Sequence, residues 1–323
     1  MVIASALHGD SISCDEPIVI GLVNNMPEAA LLSTERQFNG LLSAASRGRT
    51  VQLRYFTLPE LPRSEAAQLR IKQHYEDLNE LWSGSLDGMI VTGTEPRASE
   101  LADEPYWGTL TKLIDWSGQN TLSTVWSCLA AHAAVFHLDG IRRRRLPEKL
   151  FGIFECAQVT GHRIMDGVPA KWPVPHSRHN DLPEEALISR GYRVLSRSAA
   201  VGADSFVKDR GSLDIFFQGH PEYEPETLLR EYRRDLGRFL AGEIASYPEM
   251  PSGYFDDDAV EALTEFREHA LRNRKADLLQ SFPIARVSHS GSSKEPAVRI
   301  YANWISYLAG RQHEGGETSS QAG

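Results

Sequence analysis

The chain has 323 residues, 41% of them apolar and 24% charged, with a formal net charge of −9. That is enough apolar mass for one large α/β domain or two smaller ones, and an acidic balance without a basic tail argues against nucleic acid as a partner. No charged-then-apolar leader opens the chain, and no run of about 18 apolar residues could span a membrane, so a soluble cytoplasmic protein is expected.

From the N-terminus, residues 17–23 form a continuous apolar run of buried-strand type, ending in the turn Asn24-Asn25-Met26-Pro27. Residues 33–42 read as a helix capped by Ser33 or Thr34, with Phe38, Leu41 and Leu42 on one face. Residues 51–56 and 86–91 read as strands, and helical patterns over 66–82 and 106–118 alternate with them. Strands alternating with helices predict an α/β fold, a mostly parallel sheet flanked by helices. In such sheets the chemistry gathers at the carboxyl ends of the strands. No internal repeat is visible.

Residues 122–126 are a further strand-like run, followed by Ser127-Cys128-Leu129 and the small-residue helix start Ala130-Ala131-His132-Ala133-Ala134. A lone cysteine in an apolar run is commonly a small core residue. Here, however, the sulfur would sit at the positive N-terminus of a helix, which favours the thiolate. The three cysteines, Cys14, Cys128 and Cys156, are odd in number and widely spaced, so no disulfide framework and no metal-ligand cluster is expected. About ninety residues after Cys128, the apolar run 213–217 breaks into Gln218-Gly219-His220-Pro221-Glu222-Tyr223. His220 and Glu222 are two residues apart, on one side of an extended strand end. Cysteine, histidine and carboxylate at neighbouring strand ends are the parts of a triad: Cys128 the nucleophile, His220 its base, Glu222 the group that orients the ring.

These motifs stand within a longer ordered series. It begins with Asn25-Met26-Pro27 and Thr34-Glu35-Arg36-Gln37-Phe38, then Asp87 to Gly93 and Pro105-Tyr106-Trp107. After Cys128 come Glu148-Lys149-Leu150, Pro175-His176-Ser177-Arg178 with Asp181, and Gly219 to Tyr223. Thr227-Leu228, Glu231, Arg234-Asp235 and Asn303-Trp304 complete it. The series resembles the homoserine O-acyltransferases of methionine biosynthesis, which take a succinyl or an acetyl group. The likeness covers residues 17–245 well and the C-terminal part thinly. It implies a class I glutamine amidotransferase-like (flavodoxin-like) catalytic domain over 17–245, a C-terminal helical extension over 246–312 packed on it, and a disordered tail over 313–323. A homodimer is also the family expectation.

The resemblance implies roles for further residues. Arg234 matches the arginine that pairs with the carboxylate of homoserine, Glu231 the acid near its amino group, and Ser177 and Arg178 line the same pocket. The Leu129 N–H would belong to the oxyanion hole. No bound cofactor or metal is implied; an acyl-CoA is the co-substrate. The residue four past Gly93, Arg97, falls where the family selects its acyl group. A guanidinium there can hold a carboxylate bidentately, so succinyl-CoA is expected over acetyl-CoA. The Arg142–Arg145 run is most simply a solvated loop, with the phosphates of coenzyme A as the alternative contact. Residues 259–274 read as an amphipathic helix with Val260, Leu263, Phe266 and Ala270 inward, and 288–297 as a flexible loop.

Departures from the pattern matter as well. Glu28 and Ala29 follow Met26-Pro27 where the family carries lysine, and His132 replaces a glutamine four residues past the nucleophile. Another hydroxy amino acid, such as serine, is the alternative acceptor. A glutaminase-like amidohydrolase would use the same triad, but its glycines two before and two after the cysteine are Trp126 and Ala130 here. A non-catalytic binding protein is disfavoured by the complete triad.

Overall fold

A computed structural model of the chain describes residues 16–284 and 293–320, with side chains as far as residue 312, so Cys14 lies outside the described residues. In chain order its strands are β1 (Ile18–Val23), β2 (Val51–Phe56), β3 (Leu86–Val91), β4 (Thr121–Ser127), β5 (Arg144–Gln158), β6 (Lys171–Asp181), β7 (Arg193–Ser198), β8 (Gly202–Asp209) and β9 (Leu213–Phe217). The helices are α1 (Glu28–Ala45), α2 (Glu65–His74), α3 (Leu78–Trp82), α4 (Trp107–Asn120), α5 (Leu129–Asp139), α6 (Glu184–Ser189), α7 (Thr227–Leu240), α8 (Asp257–Arg272) and α9 (Glu295–Ser320).

All nine strands share one sheet, in the order β2-β1-β3-β4-β9-β8-β7-β5-β6. From β2 to β9 the pairing is parallel. From β9 outward through β8, β7, β5 and β6 it is antiparallel. The parallel half is the one the apolar runs foretold: β1, β3, β4 and β9 are covered on both faces, so they are buried along nearly their whole length rather than alternating, the hydroxyls of β4 and Asp214 of β9 included. One face packs under α1 and α9, and the other under α3, α4, α5 and α6. A smaller core joins α7 to α8.

The C-terminal helix α9 lies directly on the sheet. Trp304 is fully buried, its indole N–H donating to Ser123 Oγ at 2.9 Å. A Cβ on Gly88 would come within 2.8 Å of Trp304 and Leu308, so glycine is what lets this helix approach the strand. Truncating Trp304 to alanine would cost about 3–5 kcal/mol.

Several expected boundaries move. α1 begins at Glu28, so Ser33 and Thr34 lie inside it and neither caps it. The 66–82 pattern is two helices, because Tyr75 turns extended, Glu76 N–H donates to Tyr55 O at 2.8 Å and Asp77 caps α3. Arg142 and Arg143 precede β5, whereas Arg144 and Arg145 belong to it; Arg144 pairs with Asp181 at 2.8 Å. In α8, Leu263, Phe266 and Ala270 face inward as expected, but Val260 is 39% exposed. Residues 288–292 of the expected loop lie outside the described residues; Glu295 to Ala297 already belong to α9, whose first turn accommodates Pro296 without losing a hydrogen bond. The backbone expected to be disordered from 313 is helical to Ser320, and 321–323 lie outside the described residues. Among the described residues no helix is long and apolar enough to cross a membrane.

Candidate active site

The parallel pairing of β4 with β9 sets Ser127 beside Phe217, so the residues that follow each strand emerge side by side. Cys128 is the first residue past β4. Its N–H donates to Phe217 O at 2.8 Å, which ties the cysteine turn to the strand leading to His220. The Cys128 backbone has φ 52° and ψ −112°, a conformation costly for a non-glycine residue. That turn places the sulfur at the head of α5, where the first N–H groups lack intrahelical acceptors and present a positive field. Gly93, two residues past β3, packs against the same point. A Cβ there would stand 3.0 Å from the Leu129 backbone nitrogen.

His220 and Glu222 are both buried. His220 Nδ1 donates to Glu222 Oε1 at 2.8 Å, which fixes the tautomer and leaves Nε2 as the acceptor. The ring is held further by its backbone N–H on Pro175 O at 2.8 Å and by stacking on Tyr223, with centroids 4.2 Å apart. Burial would depress the His220 pKa, but the Glu222 carboxylate and the neighbouring Cys128 sulfur outweigh it and hold it well above the ordinary value. Gly219 cannot carry a side chain: a Cβ would meet Asp204 Oδ1 at 2.6 Å and His176 Nε2 at 2.9 Å. Those two groups and Cys156 bring ligand atoms within 4.8 Å of one another, a buried cluster that the sequence spacing of the cysteines did not reveal.

The α7 face carrying Glu231, Arg234, Asp235 and Arg238 connects the base to the loop after β3. Ser177 Oγ donates to Glu231 Oε2 at 2.5 Å, and the Tyr223 hydroxyl donates to Oε1. Lys149 Nζ lies 3.0 Å from Asp235 and 3.8 Å from Glu231. Arg234 donates to Asp235 Oδ1 through Nε and Nη2, at 2.9 and 2.8 Å. Glu231 and Arg234 therefore sit one turn apart, each engaged by other partners. Arg238, one turn further, pairs with Glu95 at 2.9 Å. Tyr223 and Lys149 are the residues that sequence reasoning left without a role. Tyr223 directly follows His-Pro-Glu, and its stacking on His220 is what gives that adjacency meaning.

The Arg178 side chain is buried, with Nη1 donating to Asn180 O and Asp181 Oδ1 and Nη2 to Val201 O, so its hydrogen bonds brace the fold, whereas Ser177 turns to Glu231. Arg97 is exposed. Its backbone N–H and that of Ala98 donate to Glu104 Oε1 at 2.6 and 2.8 Å, which pins the loop. The loop walls a cavity of about 330 Å³ together with Asn25, Pro27, Arg63 and Tyr106. His132 is buried, with Nε2 donating to Gln218 Oε1 at 2.8 Å, so α5 is tied to the residue two before His220.

A family model described as homoserine O-succinyltransferase matches residues 10–313. A homoserine O-succinyltransferase of Methylorubrum extorquens is 47% identical over 294 residues, 90% of this chain and 87% of that protein. One of Bradyrhizobium japonicum is 43% identical over 90% of both chains. Among solved structures, a glutamine amidotransferase from Methylobacillus flagellatus aligns over 90% of this chain and 94% of its own, with TM-score 0.51 and 16% identity. That likeness is one of fold alone.

Proposed function

The chain belongs to the homoserine O-succinyltransferase family, and from that membership we propose that it moves a succinyl group from succinyl-CoA to the hydroxyl of L-homoserine, by way of a thioester on Cys128. The observation that carries the mechanism is the Cys128 turn lying beside a His220 whose Nδ1 is fixed on Glu222 at 2.8 Å.

With its pKa raised, His220 holds the proton that Cys128 gives up, leaving a thiolate at the head of α5. The thiolate attacks the donor carbonyl. The oxyanion that forms is met by the Leu129 N–H, which has no acceptor within its own helix. Collapse expels the CoA thiolate, which takes the proton from His220, and a succinyl thioester remains on Cys128. His220 Nε2 then takes the proton of the homoserine hydroxyl, whose oxygen attacks the thioester. The Cys128 thiolate leaves, and the ester is released. Glu222 keeps Nε2 aimed at the sulfur and stabilises the imidazolium in both halves.

The acceptor is a zwitterion. Arg234, 44% exposed along its side chain, receives the carboxylate, while Glu231 with Ser177 faces the ammonium group. Arg97, exposed on the loop after Gly93, serves the distal carboxylate of the donor. A panel of succinyl-CoA and acetyl-CoA, each against homoserine and serine, tests this reading through release of free CoA. Turnover with succinyl-CoA and homoserine above the other three pairs is expected; a preference for acetyl-CoA or serine would overturn the substrate assignment.

A further inference from the structure

The cavity beside the nucleophile turn has an unusual charge inventory. It is bordered by three arginines, Arg63, Arg97 and Arg238, and four acids, Glu28, Glu60, Glu95 and Glu104. Each acid has a partner, although Glu104 is engaged through Oε1 alone and its Oε2 is buried without one. Glu28 accepts from Ser64 N–H at 3.2 Å and from its hydroxyl at 2.7 Å. Glu60 accepts the Thr109 hydroxyl, Glu95 pairs with Arg238, and Glu104 receives the N–H groups of Arg97 and Ala98. Among the described residues, no carboxylate pairs with Arg63 or Arg97.

Arg63 is the more telling of the two. It is half-buried, whereas Arg97 stands at the surface. Its Nη1 donates to Met26 O at 2.5 Å, which fixes the guanidinium to the carboxyl end of β1, and Nη2 is 3.4 Å from Thr57 Oγ1. Its Nε is buried without a partner. Its hydrogen bonds go only to neutral oxygens, and the charge of Glu28 acts on it without bonding to it. A partly desolvated guanidinium with an unpartnered Nε is stabilised further by an anion that meets it directly. The site for that anion adjoins the chemistry: the loop wall Thr94–Arg97 starts one residue after Gly93, which packs on the Leu129 nitrogen at the head of α5. A volume of about 330 Å³ suits a small acyl chain with its terminal group.

We propose that this cavity is the anion-binding subsite of the acyl donor, in which Arg63, with Arg97 at the rim, holds the terminal carboxylate of the succinyl group. The proposal rests on the reading of the chain as a succinyl-CoA-dependent enzyme. A carboxylate and a coenzyme A phosphate share the chemistry that a guanidinium recognises, and the two are separated by donors that differ only at the acyl end.

The test measures kcat/KM for succinyl-CoA, acetyl-CoA and the neutral amide analogue of succinyl-CoA (its terminal carboxylate replaced by carboxamide) in wild type and Arg63→Gln. Glutamine keeps a donor for Met26 O while removing the charge. In wild type, the amide donor is expected to be roughly 10–100-fold poorer than succinyl-CoA, the loss that follows from leaving a charged hydrogen-bonding group unmatched. In Arg63→Gln that gap should close, and the succinyl-to-acetyl ratio should fall by a similar factor. Equal loss with all three donors would move Arg63 to the phosphates and overturn the assignment. So would a wild type that uses the amide as well as the acid, a result that needs no variant to fold. A wild type inactive with succinyl-CoA would defeat the functional reading itself, whereas an active wild type with unmoved ratios would defeat only this inference.

Discussion

Replacing His132 with glutamine separates the hydrogen bond this residue makes from the charge it withholds. The imidazole is 2% exposed, and burial, aided by the nearby Arg178 guanidinium, depresses its pKa to about 3. An unfolded histidine titrates near 6.5. Between these values the unfolded chain binds a proton that the folded chain refuses, so the stability His132 allows is fully present above pH 6.5 and is lost as pH falls toward 3. The loss approaches about 1.4 kcal/mol per pH unit and amounts to roughly 2 kcal/mol at pH 5. Glutamine can donate the same bond to Gln218 Oε1 without titrating. The measurement is urea denaturation of wild type and His132→Gln at pH 8, 6 and 5. The two should agree within about 1 kcal/mol at pH 8, with the variant gaining about 2 kcal/mol on wild type by pH 5. Burial also lowers the pKa values of His162 and His176, but both remain in each protein and cancel in the difference. Parallel stability curves would refute the buried neutral imidazole.

Two further outcomes concern the substrates. Arg234→Ala should raise the acceptor KM by on the order of 10–100-fold, because the homoserine carboxylate loses its charged partner. Thioester formation on Cys128 should persist, and its loss with unchanged acceptor dependence would place Arg234 on the donor side. Arg97→Glu should lower kcat/KM for succinyl-CoA relative to acetyl-CoA by about tenfold or more, since a carboxylate then faces a carboxylate; steady-state kinetics with both donors would show it, and an unmoved ratio would count against the loop.

The parallel half of the sheet was legible because strands covered on both faces leave largely apolar runs, as in Ile18–Val23 and, interrupted only by Asp214, Leu213–Phe217. The antiparallel half was not. β5 opens with Arg144-Arg145 and is only partly buried along its length, and β6 carries Pro173 and Pro175, so neither shows a clean period. The nearness of Cys128 to His220 and Glu222 was readable from two strand-to-turn motifs, since parallel neighbours bring their carboxyl ends together whatever their distance in sequence. Side-chain direction was harder. Ser177 and Arg178 are adjacent in β6, and successive strand residues point to opposite faces; Ser177 reaches Glu231 while Arg178 turns into the buried network with Asp181. The cation Arg63 escaped notice for a related reason. It lies in a loop without a motif, and only the fold brings it to Met26 and the loop after Gly93.

The central claim is that Cys128 carries the acyl group. Brief mixing of the protein with succinyl-CoA in the absence of acceptor, followed by acid quench and peptide mass analysis, tests it most directly. One succinyl group is expected on the peptide holding Cys128, removed on addition of homoserine and absent from Cys128→Ser. A label on Cys156 or Cys14, or a serine variant that turns over like wild type, would contradict it.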